Sequence, residues 1–297
     1  MKDGFIKVAA GTPNVQVADC EFNAAEIIKM VREMEAEGAR VMVFPELCIT
    51  AYTCGDLFWQ ENLLEEAKVQ LMRIAEETAD VDAIIFVGLP LEYKGKLYNV
   101  AAGLNHGEIL GFVPKTYLPN YNEFYEARYF TSGEDVDGTV TIRRSEYGLH
   151  HDEEMTDEDV EFGLEAEPEA LEEEDSFEEL EEIDEEPDYI DEDETEEFDE
   201  VDVPISSNIL FICQEMPKLK IAAEICEDLW VPNPPSVGHA YHGANLIVNL
   251  SASDEVVGKD SYRKSLVSAQ SARLLCGYIY ATAGEGESTQ DVVYGGH

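Results

Sequence analysis

The sequence predicts an α/β protein in which two sheets pack face to face and helices cover them. Three observations carry this. Short buried-type apolar runs alternate with helix-period segments at the start of the chain, hairpin punctuation breaks up the middle, and the strand–helix alternation resumes near the end.

The first strand is "FIKVAA". It is followed by "CEFNAAEIIKMVREMEAEGAR", where Ile27, Ile28, Val31 and Met34 recur at helical spacing and Gly38 marks the stop. "VMVF" reads as a buried strand ending at Pro45. A second amphipathic helix over about 59–78 leads to the strand "AIIFVGLP". The stretch "LEYKGKLYNVAAGLNHGEILGFVPK" then divides into short strands at Lys94-Gly95-Lys96 and Asn105-His106-Gly107. Beyond residue 204 come "ILFIC", "LKIAAEIC", "ANLIVNL", a helix over about 260–275, and "GYIYATA". "TVTI" and "ILFIC" are expected to be neighbouring strands. The closing "VVYGGH" reads as a strand without a partner, so the chain is expected to be truncated at its C-terminal end.

Length and composition set limits. With 297 residues, 44% of them hydrophobic, the chain can build a sizeable core. Its formal net charge of −46 is local: residues 152–202 hold 31 acidic and no basic residues. Elsewhere 34 acidic residues face 19 basic ones, a net of −15. No basic stripe with interleaved aromatics offers itself to phosphates, so nucleic acid is not an expected partner. The six cysteines form neither a CxxC pair nor a disulfide framework and read as free thiols. With neither a signal-type N-terminus nor an apolar run of membrane length, the expectation is a soluble cytoplasmic protein with no membrane partner. Residues 150–204 have too few large apolar groups to offset the entropy of ordering, and they are expected to form a disordered acidic insertion between 1–149 and 205–297.

Three residues end or follow predicted strands, where a scaffold can aim a side chain into a cleft: Glu46 in "VFPELCITAY", Lys115 in "GFVPKTYLPNYNEFYE", and Cys226 in "AAEICEDLW". Read singly, each has an ordinary explanation as a solvated loop glutamate, a surface lysine or a core cysteine. Cys226 is the odd one, since Glu224, Glu227 and Asp228 crowd it with carboxylates that favour the thiol over the thiolate. Such a cysteine needs a base at the moment of attack. Glu224, two residues back, is expected on the same strand face and in touch with the site.

In these motifs the sequence resembles the nitrilase, or carbon-nitrogen hydrolase, superfamily. The resemblance extends over "FPEL", "PKTYLPNYNEF", "ICEDLW", "NLSAS" and "ATAGEGE". Within it, "ITAYTCGDLF", "KTYLPNYNEFYEARYF", "ICEDLWVPNPPS" and "ANLIVNLSASDEVVGK" are most similar to the glutaminase domain of glutamine-dependent NAD synthetases. The resemblance implies a four-layer α-β-β-α sandwich of the nitrilase type. It implies Cys226 as nucleophile, Glu46 as general base and acid, and Lys115 with the backbone N–H of Glu227 at the oxyanion. Glu123 would brace the lysine and the substrate amide, while Tyr121, Ser253 and Lys259, or Arg263 in place of Lys259, would hold glutamine. The implied reaction needs no cofactor and no metal. ATP and magnesium belong to a synthetase domain that would receive the ammonia, and "TSGEDVDG" is a poor match to that domain's SGGxDS loop. The resemblance also implies a homo-oligomer.

The rival readings are another carbon-nitrogen hydrolase, such as an aliphatic amidase or carbamoylase, and a non-catalytic scaffold whose acidic segment recruits basic partners. Other signals are weaker. "DEDETEEFDEVD" has Glu196 where a calcium loop needs glycine, the His pair in "HAYH" lacks a third ligand and reads as a helix surface, and "AGEGES" opens no helix.

Overall fold

The fold was analysed in a computed structural model, which describes residues 4–143, 200–289 and 291–296. The chain divides into two units. One comprises Met1–Ile142 with Val201–His297, the other Arg143–Glu200. The acidic segment falls almost wholly outside the described residues, and so does its expected disorder.

In the first unit, β1 (Val8–Ala10) pairs in parallel with β2 (Val41–Val43), and β2 with β3 (Ile84–Tyr93). These crossovers carry helices α1 (Cys20–Ala36) and α2 (Glu61–Glu77). The helix α1 starts at Asp19, whose carboxylate accepts the Phe22 N–H at 3.0 Å, and it buries Ile27, Ile28 and Val31 as the periodicity predicts. Next, β3, β4 (Lys96–Asn105) and β5 (Glu108–Pro114) form an antiparallel meander. Its two-residue turns, Lys94-Gly95 and His106-Gly107, have positive φ at every position, the conformation whose twist matches the strands on either side.

The sheet is completed by β6 (Asp137–Arg143) and β7 (Glu200–Ser206), giving the order β1-β2-β3-β4-β5-β7-β6. The expected pairing of "TVTI" with "ILFIC" is therefore not found. The neighbour of β6 is β7, and residues 200–204, placed in the insertion by their acidity, are strand residues whose exposed positions alternate with Val203 and Ile205 in the core. "ILFIC" supplies β8 (Phe211–Ile212) to a second sheet of order β11-β10-β9-β8, with β9 (Lys220–Ile225), β10 (Leu246–Ser251) and β11 (Gly277–Thr282) in parallel.

Between the sheets, Val43, Phe86, Ala101 and Val113 meet Phe211, Ile221, Ala223, Val248, Leu250 and Ile279, with Phe86 and Phe211 edge to face at 5.1 Å. Helices α3 (Pro235–Tyr241) and α4 (Lys259–Leu274) lie against the second sheet, whose outer face contributes Ala222 and Ile247. The result is the expected α-β-β-α layering. Of "VVYGGH", the described residues 292–296 form no strand; Val292 and Tyr294 instead pack on Tyr52, Ala252 and Ala283.

Candidate active site

Glu46 follows β2 in a turn that presses directly on β3. A Cβ at Gly88 would lie 2.4 Å from the Leu47 nitrogen and 2.7 Å from the Pro45 carbonyl, so only glycine lets the turn approach so closely. The carboxylate is 1% exposed and fully engaged. Its Oε1 accepts from Asn99 Nδ2 at 2.6 Å and from Lys115 Nζ at 2.5 Å, and its Oε2 accepts from the Ala252 N–H at 3.0 Å.

Lys115 leaves the end of β5 with its N–H bonded to the Asn99 carbonyl at 2.8 Å. Its ammonium is buried and also donates to Glu126 Oε1 at 2.6 Å. Burial by itself would lower its pKa, but Glu126 and Glu46 prevail and hold it well above the ordinary lysine range. The carboxylate of Glu126 is pushed up by burial, against the pull of Lys115.

Cys226 stands at the tip of β9 with φ of +42°, a left-handed conformation uncommon for a side-chain-bearing residue. The residue is only 6% exposed, and its side chain belongs to the cluster between the sheets. Burial raises its thiol pKa most, with Glu46 adding to this and Lys115 opposing it. Its sequence neighbours are turned elsewhere. Asp228 accepts the N–H groups of Ile225 at 2.9 Å, Thr116 at 3.1 Å and Tyr117 at 2.8 Å, which ties the Cys226 turn to the loop after Lys115. Glu224 faces the helix layer, where it accepts the Ser236 N–H at 3.0 Å and the Tyr278 hydroxyl. The expectation that Glu224 touches the site fails because the left-handed step at Cys226 ends the simple two-residue alternation of the strand.

The carboxylate that braces Lys115 is Glu126, not Glu123. The loop after Lys115 turns back on itself, with the Glu126 N–H on the Pro119 carbonyl at 3.2 Å, and this carries Glu126 inward while Glu123 stays exposed. Tyr52 donates to Glu126 Oε1 at 2.7 Å, and Glu126 Oε2 is buried with no partner among the described residues. A cleft lined by Tyr52, Glu123, Phe124, Glu126 and Tyr294 opens beside it.

Tyr121, half exposed, donates to both oxygens of Glu227 at 3.0 Å. Ser253 is buried, with its N–H on Thr282 Oγ1 at 3.0 Å. Lys259 pairs with Asp254 and lies over the rings of Phe124 at 5.7 Å and Trp230 at 5.5 Å. Arg263 is buried beneath α4 and donates through Nη2 to the Asp254 carbonyl at 3.2 Å and Glu255 at 3.3 Å. Asn99, Tyr52 and Glu126 escaped sequence reading; the resemblance implied a second acid but assigned it to Glu123.

In the "HAYH" pair, only His242 lies on the surface. His239 is buried, and burial lowers its pKa to about 4. Among the described residues no cluster of three His, Cys, Asp or Glu is arranged to hold a metal, and no helix is long and apolar enough to cross a membrane.

A buried acid and lysine in contact, with the Cys226 thiol under the influence of both, are the groups that the carbon-nitrogen hydrolase resemblance implied. Residues 7–297 match that family, and the chain belongs to it. Among its relatives is the glutamine-dependent NAD(+) synthetase of Mycobacterium tuberculosis, 33% identical over 99% of this chain and 35% of the relative. That of Aquifex aeolicus is 28% identical over 94% and 36%. The chain thus spans about a third of the length of the curated relatives it matches. A crystal structure of a glutamine-dependent NAD(+) synthetase from Cytophaga hutchinsonii superposes with a TM-score of 0.66 at 26% identity, covering 94% of this chain and 36% of that one. An amidase from Nesterenkonia sp. has a TM-score of 0.62 at 15% identity over 99% and 81%, a likeness of fold alone.

Proposed function

We propose that this chain hydrolyses the side-chain amide of glutamine through a thioester on Cys226 and releases ammonia for an NAD-forming synthetase. The observation that carries the reading is the Lys115 ammonium, buried between Glu46 and Glu126 beside the Cys226 thiol. Its chemistry follows from the charges. A thiol with a raised pKa is poorly ionised at neutral pH, so Glu46 takes the Sγ proton as sulfur attacks the amide carbon.

The carbonyl oxygen becomes an oxyanion facing Lys115 Nζ and the N–H of Glu227. Because Glu227 lies in the first turn of the short helix Cys226–Leu229, that N–H has no acceptor within the helix. As the C–N bond breaks, Glu46 returns its proton to the departing ammonia. Water then attacks the thioester, Glu46 accepts the water's proton, and the sulfur leaves to regain it as glutamate forms. The unpartnered Glu126 Oε2 is suited to receive an N–H of the substrate amide before it leaves.

For the substrate's charged end, Lys259 at the aromatic rim is the better cation than Arg263 under the helix. Lys259→Met should raise KM for glutamine with a smaller change in kcat. An unchanged KM would remove Lys259 from substrate binding. Relatives named for glutamine-dependent NAD(+) synthesis favour glutamine over simple amides. The deciding experiment compares hydrolysis of glutamine, aliphatic amides and N-carbamoyl amino acids by the purified chain, together with labelling by 6-diazo-5-oxo-L-norleucine. Glutamine preference with label on Cys226 supports the proposal. Preference for another amide overturns the substrate, and label on a different residue overturns the nucleophile.

A further inference from the structure

Behind Cys226, on the outer face of the second sheet, lies a polar chain that the reaction itself does not use. The Cys226 N–H donates to Asn249 Oδ1 at 3.2 Å, and Asn249 Nδ2 donates to the Tyr278 hydroxyl at 3.1 Å. That hydroxyl donates to Glu224 Oε1, while Glu224 Oε2 accepts the Ser236 N–H at 3.0 Å. Asn249 sits directly across from Glu224 in the parallel register of β9 and β10. Glu224 is 1% exposed and has no cation partner among the described residues, although its strand neighbour on that face is Ala222.

Burying an unpaired carboxylate is costly, and an apolar side chain would fill the same layer. What the carboxylate adds is direction, since both of its oxygens accept, one from the Ser236 N–H and the other from the Tyr278 hydroxyl. Facing it, Tyr278 must donate and so is left to accept from Asn249 Nδ2. The amide oxygen of Asn249 is thereby turned to the N–H of Cys226. That N–H belongs to the residue in the left-handed conformation, and the next one along, of Glu227, is the N–H proposed above for the oxyanion.

We infer that Glu224, acting through Tyr278 and Asn249, is a positioning residue that holds the Cys226 thiol and the Glu227 N–H in reactive geometry. The inference rests on Cys226 being the nucleophile. Glu224→Gln is the informative change: Tyr278 and Ser236 donate to different oxygens, and the amide puts an NH2 in place of one of them, so one donor loses its acceptor and the chain its direction. Tyr278→Phe cuts the same chain one link on and leaves the carboxylate in place.

The test measures kcat and KM for glutamine and, in the same samples, the rate of iodoacetamide alkylation of Cys226 relative to the buried Cys48, by peptide mass spectrometry. In both variants kcat should fall on the order of ten- to a hundredfold, with KM within about twofold. The Cys226-to-Cys48 alkylation ratio should rise several-fold as the turn loosens. A ratio equal to that of the wild type overturns the proposal even if kcat falls, since the residues would then be merely structural. So does a raised ratio with an unchanged kcat. Should Glu224→Gln fail to fold, Tyr278→Phe decides. If the wild type does not hydrolyse glutamine, the glutaminase reading fails, while the alkylation ratio still judges the positioning role.

Discussion

The Lys115 ammonium and the Glu126 carboxylate meet at 2.6 Å in a place solvent does not reach. Glu123, three residues earlier, is exposed. Glu126→Gln should therefore lower kcat by roughly ten- to a hundredfold, because it removes a charge that orients the oxyanion cation. Glu123→Gln should leave kcat within about threefold, since Glu123 lies exposed at the wall of the cleft and makes no contact with Lys115. Equal losses in the two variants would remove Glu126 from its bracing role.

Lys115→Met leaves two buried carboxylates without their shared cation. Breaking a buried pair in this way costs about 3–5 kcal/mol. At about 2–4 °C per kcal/mol for a domain of this size, Tm should fall by roughly 6–20 °C. In the folded fraction kcat should drop far more than KM rises, since the oxyanion exists only along the reaction path. Calorimetry and steady-state kinetics on one preparation check both, and an effect on KM alone would make Lys115 a ground-state binder.

Cys226→Ala removes one buried sulfur and keeps a residue that tolerates the same backbone conformation about as well. A loss of about 1 kcal/mol, or a few degrees in Tm, is expected together with complete loss of glutamine hydrolysis. Residual turnover in the purified variant would assign the nucleophile elsewhere.

Burial pushes the Glu287 carboxyl up to about 7, against the Thr53 N–H that it accepts at 2.7 Å. Unfolded, a glutamate titrates near 4.3. Between those values the folded chain holds a proton that the unfolded chain has released, so stability falls as pH rises from about 4.3 to about 7. Glu287→Gln should flatten that slope in Tm measured from pH 5 to pH 8. A variant slope as steep as the wild type's would place the titrating group elsewhere.

Several features were legible because they are local. The turn chemistry of Lys94-Gly95 and His106-Gly107 needs only two residues, the stripe of Ile27, Ile28 and Val31 little more than one turn of helix, and the positions of Glu46, Lys115 and Cys226 only the strands before them. Features that depend on distant partners were not. Glu46 is tied to Asn99 and to Ala252, 206 residues away, and Tyr52 to Glu126 across 74. The loop from Thr116 to Phe130 has no hydrophobic period to show which glutamate turns inward, so a bond to the Pro119 carbonyl decides between Glu123 and Glu126. Acidity hid β7, because an edge-side strand can carry carboxylates on its solvent face while Val203 and Ile205 bury the other.

By itself, then, the sequence determined the layered α/β architecture and set Glu46, Lys115 and Cys226 at the ends of strands, since periodicity, turn chemistry and strand ends are written in contiguous residues. Only the tertiary structure decided which second carboxylate meets the lysine and which way Glu224 faces. It also decided that the thiol owes its raised pKa to burial and Glu46 rather than to its neighbours in the chain. Burial and charge act through space, and a single left-handed residue at Cys226 ends the strand's alternation and turns its own side chain into the core.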